Sequence, residues 1–78
     1  MIQTIRTAVK QFGKEAATHR FTPDEKKAVA EVVFAYRNRG IKTSENEIAR
    51  TGVNFLIEDY KLNGEKSILD QVLKALNQ

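Results

Sequence analysis

The stretch GIKTSENEIARTGVNFLIEDY, residues 40–60, decides the fold. Ser44 followed three residues later by Glu47 is a capping box, in which side chains satisfy free backbone N–H groups at a helix start. Apolar residues then recur at helical spacing and Asn63-Gly64 is a stop signal, so we predict a helix from about Glu45 to Leu62. Its apolar arc covers close to half the circumference, wider than one packing partner needs. That arc consists of Ile48, Ala49, Gly52, Val53, Phe55, Leu56 and Tyr60.

A second capped helix precedes this stretch. Thr22 and Glu25 form another capping box, and Pro23 stands at the first helical position, where its missing N–H is harmless. We predict a helix from Pro23 to near Arg39. Its core stripe, at spacings of three, four and seven, consists of Val29, Val32, Val33 and Tyr36. Phe34 lies off that stripe, and we expect another element to cover so large an aromatic side chain.

Weaker helical patterns flank this pair. IQTIRTAVKQFG, within residues 1–13, places apolar residues on one face and ends in a glycine. SILDQVLKALN, within residues 66–78, begins at a serine cap and also carries an apolar face. We expect both to be accessory packing helices. With no repeat, low-complexity tract or linker, residues 1–78 are predicted to form a single domain.

Length and charge indicate the kind of partner. A chain of 78 residues buries only roughly 60% of its unfolded surface, so its core is marginal and we expect a homodimer. The net charge of +3 is uneven. Residues 1–22 hold four bases against one acid and residues 23–42 hold five against three, whereas residues 43–78 hold four against six. The basic first half suits contact with a polyanion, although so small a net charge is also common in proteins that bind no nucleic acid.

Catalytic, metal and membrane functions find little support in the residues. The chain has one histidine and no cysteine, so we expect no metal site and no cofactor. Glu58 and Asp59 are adjacent on a helix and point in different directions, a poor arrangement for acid–base catalysis. No apolar run approaches the roughly 20 residues of a membrane span. We therefore predict a non-enzymatic protein, and the absence of cysteine is in keeping with a reducing cytoplasm.

The order of a short alternating segment, a helix, a tight turn with glycine and a second capped helix resembles the ribbon-helix-helix family of the Met and Arc repressors. The resemblance covers residues 16–62, and residues 40–60 are its most specific part. It implies a mainly α fold, with an intertwined homodimer whose two N-terminal strands pair as an antiparallel ribbon in the major groove of double-stranded DNA. The helices within 1–13 and 66–78 are accessory to that core.

The resemblance also implies residue roles. Thr18, Arg20 and Ala16 would face base edges from the strand, predicted over residues 16–21. Lys42, Thr43 and Ser44 would hold a backbone phosphate at the start of the second helix, where free amides and the helix dipole attract an anion. The predicted dimer core consists of Phe21, Ile48, Gly52, Phe55 and Leu56. Gly52 belongs to it because a glycine inside a helix is compensated best at a close helix crossing.

Two alternatives remain open. If residues 16–21 are only a linker, the chain is a small helical protein-interaction module. EIARTGVN could instead be the turn of a helix-turn-helix, but its glycine follows Ala49 by three residues where four are needed, and Asp59 stands where a branched apolar residue belongs. The biological setting is equally open among a transcriptional repressor, an antitoxin, a plasmid copy-control or partition protein and a conjugation accessory.

Overall fold

A computed structural model describes residues 1–11 and 21–78 of the chain. These residues form the α-helices α1 (Ile2–Lys10), α2 (Pro23–Asn38), α3 (Glu45–Asn63) and α4 (Ile68–Leu76), with a 3-10 turn at Gly64–Lys66 between the last two. All four helices were predicted from the sequence, and α2 and α3 end within one residue of the predicted positions. The prediction of a mainly α protein is therefore confirmed.

The ribbon-helix-helix fold class is wrong, because the residues that the structure describes contain no β-strand. Of the predicted strand, residues 16–21, all but Phe21 lie outside the described residues, and Phe21 belongs to neither a helix nor a strand. The segment AATHRF holds one β-branched residue, Thr18, and so has little of the composition that favours a strand. The regular structure of the described residues is entirely helical.

Both ends of α2 are closed by local hydrogen bonds. The backbone N–H of Thr22 donates to the carboxylate of Glu25 at 2.8 Å, and the N–H of Glu25 donates to the Thr22 hydroxyl at 3.1 Å, which confirms the capping box. The hydrogen bond from the Thr22 backbone N–H, and after it the interaction of the Thr22 side chain with the carboxylate, lower the pKa of the Glu25 carboxyl below its usual value. At the other end, Gly40 adopts a φ of 77°, and the N–H of Ile41 reaches back to the carbonyl of Tyr36 at 3.0 Å.

The junction between α3 and α4 is built around a buried carboxylate. Asp59 accepts a hydrogen bond from the side-chain amide of Asn63 at 2.7 Å and another from the backbone N–H of Ile68, the first residue of α4, at 2.8 Å. Ser67 has no accessible surface, and its hydroxyl accepts the N–H of Asp70 at 3.1 Å. The predicted serine cap is thus confirmed, and Asp59 supplies a second one from the preceding helix.

The side chain of Arg50, in α3, caps the C-terminal end of α1. Its guanidinium donates hydrogen bonds to the backbone carbonyls of Ala8 at 2.8 Å and Val9 at 3.0 Å, and to that of Gln11. The last carbonyls of a helix have no partner within it and carry the negative end of the helix dipole. A cation with several fixed donors is therefore well suited to hold α1 against α3.

The described chain divides into two compact units. Met1–Gln11 and Arg50–Gln78 form the first, and Phe12–Ala49 form the second, of which residues 21–49 are described. Neither unit buries an apolar side chain in its described residues, where only Asp59 and Ser67 count as buried. The described residues therefore lack the hydrophobic core that usually dominates the stability of a small domain.

Candidate functional site

Three exposed cations surround the turn between α2 and α3. We call Arg37, Arg39 and Lys42 the basic turn; no acidic residue lies within residues 37–44. None of the three cations takes part in an ion pair with the described residues. The guanidinium of Arg39 lies 5.3 Å from the centroid of the Tyr36 ring, a cation–π arrangement that leaves its hydrogen-bond donors available. The basic turn thus presents positive charge to solvent on a defined piece of backbone.

The predicted phosphate-binding residues occupy different environments beside this turn. Lys42 is exposed and belongs to the basic turn. The hydroxyl of Ser44 accepts the backbone N–H of Glu47 at 3.1 Å, and the half-buried Thr43 donates its hydroxyl to the Glu47 carboxylate at 3.0 Å. An anion beside these hydroxyls would meet the charge of Glu47. The phosphate role of Lys42, Thr43 and Ser44 stays a prediction; of the three, Lys42 is the exposed cation.

The three predicted base-contacting residues, Ala16, Thr18 and Arg20, lie outside the described residues. The structure neither brings them together nor separates them. Their roles depended on a ribbon in the major groove, and the described residues supply no strand for one. Their contact with bases therefore stays a prediction from the sequence alone.

The residues predicted to form a dimer core are accessible in the single chain. Phe21 is 53% exposed and Phe55 is 40% exposed, while Ile48 and Leu56 are half-buried. A side chain added at Gly52 would meet no atom of the described residues within 4 Å. Any close helix crossing at Gly52 must therefore come from outside this described part of the chain.

Comparisons with known proteins add no relative. No protein-family model matches the chain, and no curated protein or solved structure matches it either. Across residues 1–11 and 21–78, no helix is long and apolar enough to cross a membrane. The same residues contain no group of three His, Cys, Asp or Glu side chains placed to hold a metal ion.

Sequence reasoning missed four residues that the structure makes prominent. Arg37 and Arg39 complete the basic turn, and the signal for them was three bases within six residues around a glycine stop. Asp59 and Arg50 are the two side chains that tie helices together. An acid amid the apolar arc of α3 was a signal for Asp59. No local pattern pointed to Arg50, whose partners are 39 to 42 residues away.

Proposed function

We propose that the protein is a homodimer that binds duplex DNA, with the basic turn of each copy on the phosphate backbone. The observation that carries this proposal is the basic turn. Its cations are exposed and form no ion pair with the described residues, and no acidic residue lies within residues 37–44. Cations that neutralise DNA phosphates release condensed counterions, which is the main source of non-specific affinity. The proposal includes a cytoplasmic location, which the absence of cysteine supports.

The dimer is supported by the apolar side chains that the single chain leaves accessible. Phe34 is 62% exposed on α2, and no neighbour of the expected kind covers it among the described residues. Val53 and Phe55 are exposed on α3, beside the open position at Gly52. A second copy related by a two-fold axis would bury such faces and would bring a second basic turn to the same duplex.

Phosphate contacts position a protein on DNA but read no sequence. Discrimination between sequences requires contacts with base edges, for which Thr18 and Arg20 remain predictions from the sequence. No ribbon is part of the proposal. The basic turn accounts for affinity and its dependence on salt, and base contacts would account for any preference among duplexes.

The test is a titration of fluorescently labelled, mixed-sequence duplex DNA at several salt concentrations. The test protein carries Arg37→Gln, Arg39→Gln and Lys42→Gln, and the matched control carries Lys10→Gln, Lys61→Gln and Lys66→Gln. Both lose the same net charge from exposed positions. Because a dimer loses up to six phosphate contacts, we expect the basic-turn variant to reduce the slope of log affinity against log salt by up to about 5. The control should change it little.

Equal losses in the two triple variants would show that binding follows net charge alone and would remove the basic turn from the mechanism. If the wild-type protein does not bind duplex DNA at low salt, DNA binding is rejected and the second candidate function, a helical protein-interaction module, is favoured. The exposed apolar side chains of α2 and α3 favour that candidate independently of DNA. Varying the duplex sequence in the same titration measures discrimination.

A further inference from the structure

The aromatic ring of Tyr36 contacts one of the three cations of the basic turn. The sequence predicted Tyr36 as the last residue of the core stripe of α2, but Tyr36 is 39% exposed. The guanidinium of Arg39, three residues further along the chain, lies 5.3 Å from the centroid of the ring. A guanidinium within about 6 Å of a ring centroid is attracted by the negative face of the ring. Part of the surface expected to be apolar core therefore holds a cation.

The backbone around this pair is fixed by hydrogen bonds. The carbonyl of Tyr36 accepts the N–H of Arg39 at 2.9 Å and that of Ile41 at 3.0 Å. The N–H of Gly40 donates to the carbonyl of Arg37 at 3.0 Å, and Gly40 adopts the left-handed φ of 77° that ends the helix. These bonds set the distance between the backbone of Arg39 and the ring. Only the Arg39 side chain remains to be ordered.

The ring can order that side chain without neutralising its charge. A long side chain that becomes immobile when it binds a ligand loses rotational entropy, which weakens binding unless the side chain is ordered beforehand. Arg39 forms no ion pair with a carboxylate of the described residues. A neutral ring that attracts the guanidinium accepts none of its N–H groups in place of a phosphate. Those donors have the fixed geometry that meets two oxygens of one phosphate.

We propose that the ring of Tyr36 positions Arg39 for bidentate contact with a phosphate of the DNA backbone. This role rests on the proposed function, in which Arg39 is one of the cations on the duplex. Arg39 contacts the phosphate, and Tyr36 acts only through Arg39. A cation–π contact at an exposed site changes an equilibrium constant by about two- to fivefold. A dimer uses two such contacts, so loss of the ring should weaken duplex binding by about 5- to 25-fold.

A double-mutant cycle, measured with labelled duplex DNA, separates positioning from a purely structural role. Tyr36→Leu removes the ring and keeps an apolar side chain. We expect it to lower affinity without changing the slope of log affinity against log salt, because no charge is lost. In an Arg39→Gln background the same change should have no further effect. In an Arg37→Gln background, which loses the same charge, Tyr36→Leu should keep its full effect.

The conservative variant Tyr36→Phe is the rescue control. It retains the aromatic face, and we expect it to bind within about twofold of the wild type. Circular dichroism confirms that each variant is folded, and Tyr36→Met takes the place of a Tyr36→Leu chain that is not. Equal effects of Tyr36→Leu in the Arg39→Gln and Arg37→Gln backgrounds would overturn the positioning role. A Tyr36→Phe variant as weak as Tyr36→Leu would also overturn it.

Nuclear magnetic resonance of the free protein provides a readout that does not involve DNA. Protons over an aromatic face resonate upfield, so we expect the Arg39 side-chain signals to move downfield in Tyr36→Leu and to stay in place in Tyr36→Phe. Signals that Tyr36→Leu leaves unchanged would overturn the contact itself, whatever the protein does with DNA. A wild-type protein that shows the upfield signals but does not bind duplex DNA would overturn the proposed function, and the phosphate role of Arg39 with it. The two failures are therefore distinguishable.

Discussion

Asp59 is the residue that joins α3 to α4. Its carboxylate lies in the apolar arc of α3, is 8% exposed and accepts two hydrogen bonds, one of them from the backbone of α4. A buried N–H that loses its acceptor costs the desolvation energy of that group. In the sequence, Asp59 is adjacent to Glu58, which is a poor arrangement for acid–base catalysis. In the structure, the Asp59 carboxylate joins α3 to the start of α4.

We expect Asp59→Ala to lower the free energy of unfolding by about 1–3 kcal/mol, because the Ile68 N–H and the Asn63 amide lose their acceptor. Glu65→Ala, in the exposed 3-10 turn, is the control and should stay within about 0.5 kcal/mol of the wild type. Urea unfolding at a single protein concentration measures both. A loss at Asp59 no larger than that at Glu65 would mean that the junction does not depend on this carboxylate.

Glu25 makes the start of α2 sensitive to pH. Its pKa is lowered in the folded chain by hydrogen bonds from Thr22, so the ionised form stabilises the fold. That stabilisation is present above the unfolded pKa and is lost as the pH falls through the lower, folded pKa. We expect the thermal midpoints of the wild type and Glu25→Gln to differ at pH 7 and to converge as the solution is acidified to pH 3. A difference that is constant across this range would contradict the assignment.

At the scale of elements, the order of helices could be predicted because their ends are chemically marked. Capping boxes, a proline and glycine stops fixed α2 and α3 to within one residue, and Ser67 marked the start of α4. The predicted strand had no comparable end signals and rested on a short alternation of polar and apolar residues and on family resemblance. The attachment of α1 through Arg50 was not predictable, since it joins residues about 40 positions apart and leaves no periodic pattern.

The α3 helix offers a direct test of where a second chain packs. Within the described residues nothing approaches Gly52, so in an isolated chain both Gly52→Ala and Gly52→Leu should gain about 1 kcal/mol of helix propensity. If α3 crosses a second copy at Gly52, Leu forces the helices apart and should cost several times that amount. We expect the second pattern in urea midpoints, with Leu far worse than Ala. Similar midpoints for the two variants would place the dimer contact elsewhere.

The whole molecule is a set of well-capped helices with few buried side chains. Hydrogen bonds at helix ends fix local geometry, but each contributes only about 1 kcal/mol net. In the described residues no large apolar side chain is buried, although 41% of the chain is hydrophobic. Burial of the exposed faces must therefore come from outside the described residues, and a second copy of the chain is the partner that we propose. The expectation of a homodimer came from chain length and the wide arc of α3, and the accessible side chains support it on independent grounds.

The central claim is that these apolar faces are covered by another copy of the chain, and the concentration dependence of folding tests it most directly. Thermal unfolding should be followed by circular dichroism over a hundredfold range of protein concentration, with the mass in solution measured at both ends of that range. When assembly and folding are coupled, dilution favours the unfolded chain, so we predict a midpoint that rises with concentration and a mass of at least two chains. A midpoint independent of concentration, together with a monomeric mass, would contradict the account.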